Sequence, residues 1–304
     1  MNDQYSGTGV PPTNVRCRGE RAHRLGVFTN ALLGLTKIGG GLAAGSPALV
    51  ADGWHSLADL MTTVVAWASF RLGAQPPDDD HHYGHGKLEA LAAVGVGILL
   101  AVGGAALLWG ALPRGGAAEG ERAANLMPAL AMAVAAISMA ANEWLARVTG
   151  EAGRQLRSPA LLAVSRDNRA DAFSSLLVIV GVGGRVIGWD WAEPTATALI
   201  ALGIIVMGLK SMGEGGDVLV DRVTDPTLRG DITRVAMGVG GVLDVDRVRV
   251  HPLGSSWTVD VEICVNGELT VRDGHEIAHA VEAALTAARE GIVGVQVHVN
   301  AKGP

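Results

Sequence analysis

The chain holds 304 residues, 49% of them hydrophobic and 18% charged, with a mean hydropathy of +0.30. That is too apolar for a disordered chain or a nucleic-acid coat, and a net charge of −6 with an isoelectric point near 5.8 argues against a polyanionic partner. The two cysteines, Cys17 and Cys264, stand too far apart for a CxxC redox pair and supply no disulfide framework.

The first twenty residues are polar, carry Pro11 and Pro12, and lack a secretory signal pattern, so 1–20 reads as a flexible arm. Six apolar stretches follow, over 24–45, 48–71, 88–112, 124–146, 159–187 and 192–212. Each is long enough to cross ~30 Å of hydrocarbon as a helix. Glycines fall inside these runs as often as between them, as close helix packing in a bilayer requires. Residues 21–212 therefore read as an all-α, six-helix transmembrane domain.

Orientation follows from the basic residues. Arg16, Arg18, Arg21 and Arg24 precede the first span, Arg71 and Lys87 flank the second connection, and Arg147, Arg154 and Arg157 flank the fourth. The first connection, Gly45–Pro47, is uncharged, and the third, Pro113–Ala124, is balanced; Asp190 and Glu193 sit beside Arg185 at the fifth. Both termini are expected in the cytoplasm.

From about residue 213 the periodicity changes. Asp225–Val239 reads as a helix with Pro226 near its first turn. Val245–Val250, Trp257–Val265 and Val293–Val299 alternate as half-buried strands do, and Thr270–Ala288 has helical spacing. Residues 213–304 are expected to form a small α+β domain of order α-β-β-α-β, on the cytoplasmic side.

Charge inside a span is costly and is usually retained for function. The second span carries Asp52, His55 and Asp59 on one helical face, and the fifth carries Asp167 and Asp171 one turn apart. His55, Asp59, Asp167 and Asp171 together would form a four-ligand site for a divalent cation; interhelical ion pairs with Arg166 or Arg169 are the plainer alternative. Asp52 is either a partner of His55 or a residue of the outer mouth. Lys37 can snorkel or pair with a carboxylate, while Asn142 and Glu143 suit hydrogen bonding between helices.

Between the second and third spans, Asp78, His81 and His85 recur at intervals of three and four, a pattern that suits Zn2+ or a solvated polar loop. The run His275–Glu276–Ile277–Ala278–His279 matches the HExxH pattern of zinc metalloproteases. The small domain and the lack of an evident third ligand argue against a protease. His275 and His298 could instead bind metal at a regulatory or dimer site with Asp246 or Glu262, or be surface histidines.

Through SPALVADGWHSLAD, PPDDDHHYGHGKLEAL, RSPALLAVSRDNRADAFSSLL and GHEIAHAVEAAL…VQVHV, the chain resembles the cation diffusion facilitators from about Arg21 to its end. The resemblance implies a multi-pass homodimer of the bacterial inner (cell) membrane that exports divalent metal in exchange for protons. It has no organic cofactor and no nucleic-acid partner, and its cytoplasmic domain is metallochaperone-like, with roles in regulation and dimerisation. It further implies a transport site at His55, Asp59, Asp167 and Asp171, a loop metal site at Asp78, His81 and His85, and a cytoplasmic metal site at Asp246, Glu262, His275 and His298. Lys87 and Asp221 fall where a related protein has a charge interlock joining the membrane and soluble parts. Many zinc exporters have histidine where this chain has Asp167, so the site here is richer in oxygen and leans towards Mn2+ or Fe2+, with Zn2+, Co2+ and Cd2+ still open. Asn300 stands where several relatives are acidic. A membrane metal sensor or scaffold that transports nothing is the rival to a transporter.

Overall fold

The computed structural model describes residues 13–73, 75, 78–112, 127–155, 159–223, 225–253, 256–289 and 291–302. The elements are α1 (Thr13–Ala44), α2 (Pro47–Gly73), α3 (Lys87–Ala111), α4 (Pro128–Gln155), α5 (Pro159–Val186), α6 (Ala192–Leu219), α7 (Leu228–Met237), β1 (Asp244–Leu253), β2 (Ser256–Asn266), α8 (Val271–Ala288) and β3 (Ile292–Lys302). They follow the expected order of long helices and then α-β-β-α-β. The segment 13–20, read from sequence as part of an arm, belongs to α1. Residues 1–12 and the whole of the expected third connection, Pro113–Ala124, lie outside the described residues.

Among the described residues, three helices are long and apolar enough to cross a membrane: Lys87–Ala111, Pro128–Glu151 and Ala192–Leu219. Helix α2 carries Asp52, His55 and Asp59 in its interior, and α5 carries Arg166, Asp167, Arg169 and Asp171.

The described residues divide into two compact units, one drawn from 13–63 and 99–208 and the other from 64–98 and 209–302. In the first unit α4 and α5 pack along one another, and α1 packs on α4. The approach of α1 to α2 is close enough to require glycine. A Cβ on Gly53 would lie 2.7 Å from the backbone nitrogen of Ile38, and one on Gly41 would lie 2.8 Å from that of Val50.

The second unit contains the α+β domain. Its sheet has the order β1-β2-β3, with β1 antiparallel and β3 parallel to the central β2. A parallel neighbour demands a crossover, and α8 supplies it. Val259, Val261, Ile263 and Val265 alternate inward from β2 against Leu228 and Ile232 of α7 and Val281 and Leu285 of α8. The start of α8 is fixed by a capping box: Thr270 and Asp273 satisfy each other's backbone N–H groups. Helix α7 starts at Leu228, two residues past Pro226, and is shorter than its sequence pattern suggested.

Candidate metal site

His55 lies one turn before Asp59 on α2, and both belong to the same unit as Asp171 of α5. One donor atom from each of the three lies within 4.8 Å of the others, and His55 Nε2 is 3.6 Å from Asp171 Oδ1. That separation is too long for a hydrogen bond and suits two ligands of one ion. Asp171 is buried, and neither its Oδ1 nor His55 Nδ1 has a hydrogen-bond partner among the described residues. Buried polar atoms in that state are costly unless another group satisfies them. One imidazole and two carboxylates can bind a divalent cation of intermediate hardness.

Asp167, expected as the fourth ligand, lies outside this set and is exposed, one turn before Asp171. For Asp52, the first of the two expected roles is not seen among the described residues. It does not serve as a partner of His55; its carboxylate faces the fully buried Lys37 ammonium at 3.1 Å. It also accepts hydrogen bonds from the Ser174 hydroxyl and, at 2.7 Å, from Ser175. Lys37 donates to Ser56 at 2.9 Å. The sequence allowed Lys37 a carboxylate partner without naming it. The serines carried a readable signal, because Ser56 follows Asp52 by one turn and Ser174 and Ser175 follow Asp171 by one turn. Asn142, expected to bond between helices, has no side-chain partner among the described residues, and Glu143 pairs within α4 with Arg147 at 2.7 Å.

In the second unit, Asp78, His81 and His85 form another set with donor atoms within 4.8 Å. Asp78 Oδ1 is 3.2 Å from His81 Nδ1, and Oδ2 is 3.3 Å from His85 Nε2. The backbone N–H of His81 bonds to Asp78 at 2.6 Å and, with the other local hydrogen bonds, holds this carboxyl below its ordinary range. The loop therefore presents an ionised carboxylate between two imidazoles, a donor set that fits Zn2+. It ends against the sheet: a Cβ on Gly86 would lie 2.8 Å from the backbone carbonyl of Leu253.

Lys87 Nζ is 3.0 Å from Asp221 Oδ1. His251, which the sequence reading passed over, joins this pair, with Nδ1 3.4 Å from Asp221 and Nε2 3.4 Å from Asp260. Burial works against ionisation of Asp221, but hydrogen bonds from Lys87 and His251 outweigh it and lower this carboxyl.

The four cytoplasmic candidates are not gathered into one set among the described residues. Asp246 receives hydrogen bonds from Cys264 and Asn300, each at 3.0 Å. Glu262 takes Arg247 at 3.3 Å and stands beside His298 in the β2–β3 register. His275 Nε2 faces His279 Nε2 at 3.1 Å on the exposed side of α8. Asp246, Glu262 and His275 are thus each engaged by a different neighbour.

A family model described as the cation efflux transmembrane domain matches residues 24–220, and one described as the cytoplasmic domain of cation efflux proteins matches residues 224–302. The chain belongs to the cation efflux family, the cation diffusion facilitators. Metal tolerance protein 2 of Oryza sativa subsp. japonica is 30% identical over 94% of this chain and 79% of its own length. The manganese efflux system protein MneP of Bacillus subtilis is 29% identical over 91% of this chain and 94% of its own. Magnetosome protein MamB of Paramagnetospirillum magneticum is 32% identical over 79% of this chain and 80% of its own. Cation efflux proteins are integral membrane transporters of metal cations, and this member follows the family's order of a helical membrane region and then a small cytoplasmic domain.

Proposed function

We propose that this cation efflux protein exports a divalent cation, Mn2+, Fe2+ or Zn2+, from the cytoplasm in exchange for protons. The observation that carries the reading is the convergence of His55, Asp59 and Asp171 from two helices onto one point, with atoms left unsatisfied there. Asp167, one turn away, is the fourth ligand and joins when α5 moves. An oxygen-rich set favours the harder cations, in keeping with the name of the manganese efflux relative.

The exchange follows from ligand chemistry. Ionised carboxylates and a neutral imidazole bind the cation, and a protonated ligand cannot. Cytoplasmic metal loads the site, the helices rock so that the site faces the other side, and protons from there displace the cargo and return with the empty site. A membrane potential of 100 mV contributes roughly 2.3 kcal/mol per charge and favours proton entry when the inside is negative. Both termini lie in the cytoplasm, the cytoplasmic domain pairs with a second copy, and Asp78, His81 and His85 hold a resident cation.

The test is flux of Mn2+, Fe2+ and Zn2+ into proteoliposomes across a pH gradient. Asp59→Ala is expected to abolish proton-coupled flux for every cation. Undiminished flux in that variant would reject the site.

A further inference from the structure

Three helices of the first unit meet at one buried point that the cargo site does not use. Lys37 of α1 and Asp52 of α2 are both fully buried and stand 3.1 Å apart. Ser174 and Ser175 of α5 donate to the same carboxylate, and Ser56 of α2 accepts from the ammonium. This junction lies one helical turn from the cargo residues, since Asp52 precedes His55 by three positions and Ser174 follows Asp171 by three.

Burial differs on the two sides of the cargo site. Beyond the junction, towards the α1–α2 turn, Leu49 and Val178 are fully buried. In the other direction Thr62 and Thr63 of α2 and Arg166 and Asp167 of α5 are exposed. On the face of α2 that carries the site, burial thus runs from complete at Leu49 and Asp52 to exposed at Thr62 and Thr63.

We propose that the Lys37–Asp52 pair is the closing contact on the α1–α2-turn side of the cargo site, a positioning pair that pins α2 and α5 together without touching the cargo. The inference rests on the site proposed above. Under the proposed orientation that side faces away from the cytoplasm, so the pair must part each time the cargo leaves. A buried ion pair suits this duty. It holds in a dry interior, where its geometry and extra hydrogen bonds offset desolvation, and both charges regain hydration once water enters. An apolar plug in its place would gain nothing from being wetted.

Replacing one partner would strand the other charge and risk misfolding. The test therefore neutralises both, in the full-length protein carrying Lys37→Gln and Asp52→Asn. Calorimetric binding of Mn2+ and Zn2+ is expected to stay within about threefold of wild type, while proteoliposome flux falls about tenfold, because the closed population is lost and not the ligands. Hydroxyl-radical labelling, read by mass spectrometry, is expected to rise severalfold at Leu49 and Val178. Unchanged labelling at those two residues overturns the proposal, and so does loss of binding together with flux. If the double variant does not fold, the wild type decides: labelling at Leu49 and Val178 should rise during turnover, and constant labelling while flux proceeds overturns the gate. Failure of the site itself is seen separately, as undiminished flux in Asp59→Ala.

Discussion

His55 and Asp171 face one another from α2 and α5 at 3.6 Å, with no hydrogen bond between them. Their relation makes the imidazole the one softer donor in a set otherwise made of carboxylates. Replacing it with oxygen should change which cation is preferred more than whether one binds. His55→Asp is expected to lower the ratio of Zn2+ to Mn2+ affinity by about tenfold, or ~1.4 kcal/mol, as measured by calorimetry on the purified protein. An unchanged ratio would remove His55 from the cargo's ligands.

The convergence of α2 and α5 was legible because helical spacing puts His55 with Asp59, and Asp167 with Asp171, on single faces. Spacing cannot tell which residues of a face point inward, so it could not separate Asp171, which is buried in the set, from Asp167, which is exposed. Spacing could not name the partner of Asp52 either. Its partner Lys37 lies on another helix, and no periodicity within α2 announces a cation from α1. In the α+β domain the alternation of Val259, Val261 and Ile263 and the spacing of Val281 and Leu285 sufficed, because burial there depends on the local pattern. The role of His251 was not legible because Asp221 lies thirty residues before it, and Asp260 comes within reach only through the pairing of β2 with β1.

Gly86 follows the last loop histidine directly and has no room for a side chain against Leu253. Gly86→Ala would force either the loop or the β1–β2 end to move. We expect this variant to weaken Zn2+ binding at Asp78, His81 and His85 by about tenfold through misplacement of His85, at a stability cost of about 1–3 kcal/mol. Calorimetry with Zn2+ on a background lacking Asp59 isolates the loop, and binding equal to that of the parent would show that the contact does not position it.

Lys87 and Asp221 are each partly exposed, at 44% and 38% of the side chain, and solvent screening limits what such a pair contributes. Lys87→Met is accordingly expected to change the unfolding free energy by less than about 1 kcal/mol. The Asp221 carboxyl is lowered in the folded chain, so its contribution is complete above the ordinary carboxylate range and disappears as the pH falls through the lowered value. Asp221→Asn should therefore match wild type in acid and differ from it near neutrality. A difference confined to acid would contradict the assignment of Lys87 and His251 as its partners.

Arg289, just past α8, reaches back to α7 and the residues before it, bonding Asp225 at 2.5 Å and Asp231 at 3.2 Å, with its guanidinium 5.7 Å from the centre of the Trp257 ring. Thr227, through its hydroxyl and backbone N–H, together with Arg289 holds the Asp225 carboxyl down at about 2. A depressed carboxyl stabilises the folded state above its ordinary value and loses that effect as the pH drops from about 4 towards about 2. Arg289→Ala is expected to lower the melting temperature of the α+β domain by about 5 °C at neutral pH, with the deficit shrinking at the acid end of that interval. Scanning fluorimetry of the full chain, paired with hydrogen exchange of the α7 amides, reads both effects. Undiminished protection of Leu228–Met237 in the variant would mean that α7 is held by its apolar face alone, through Leu228, Ile232 and Ala236.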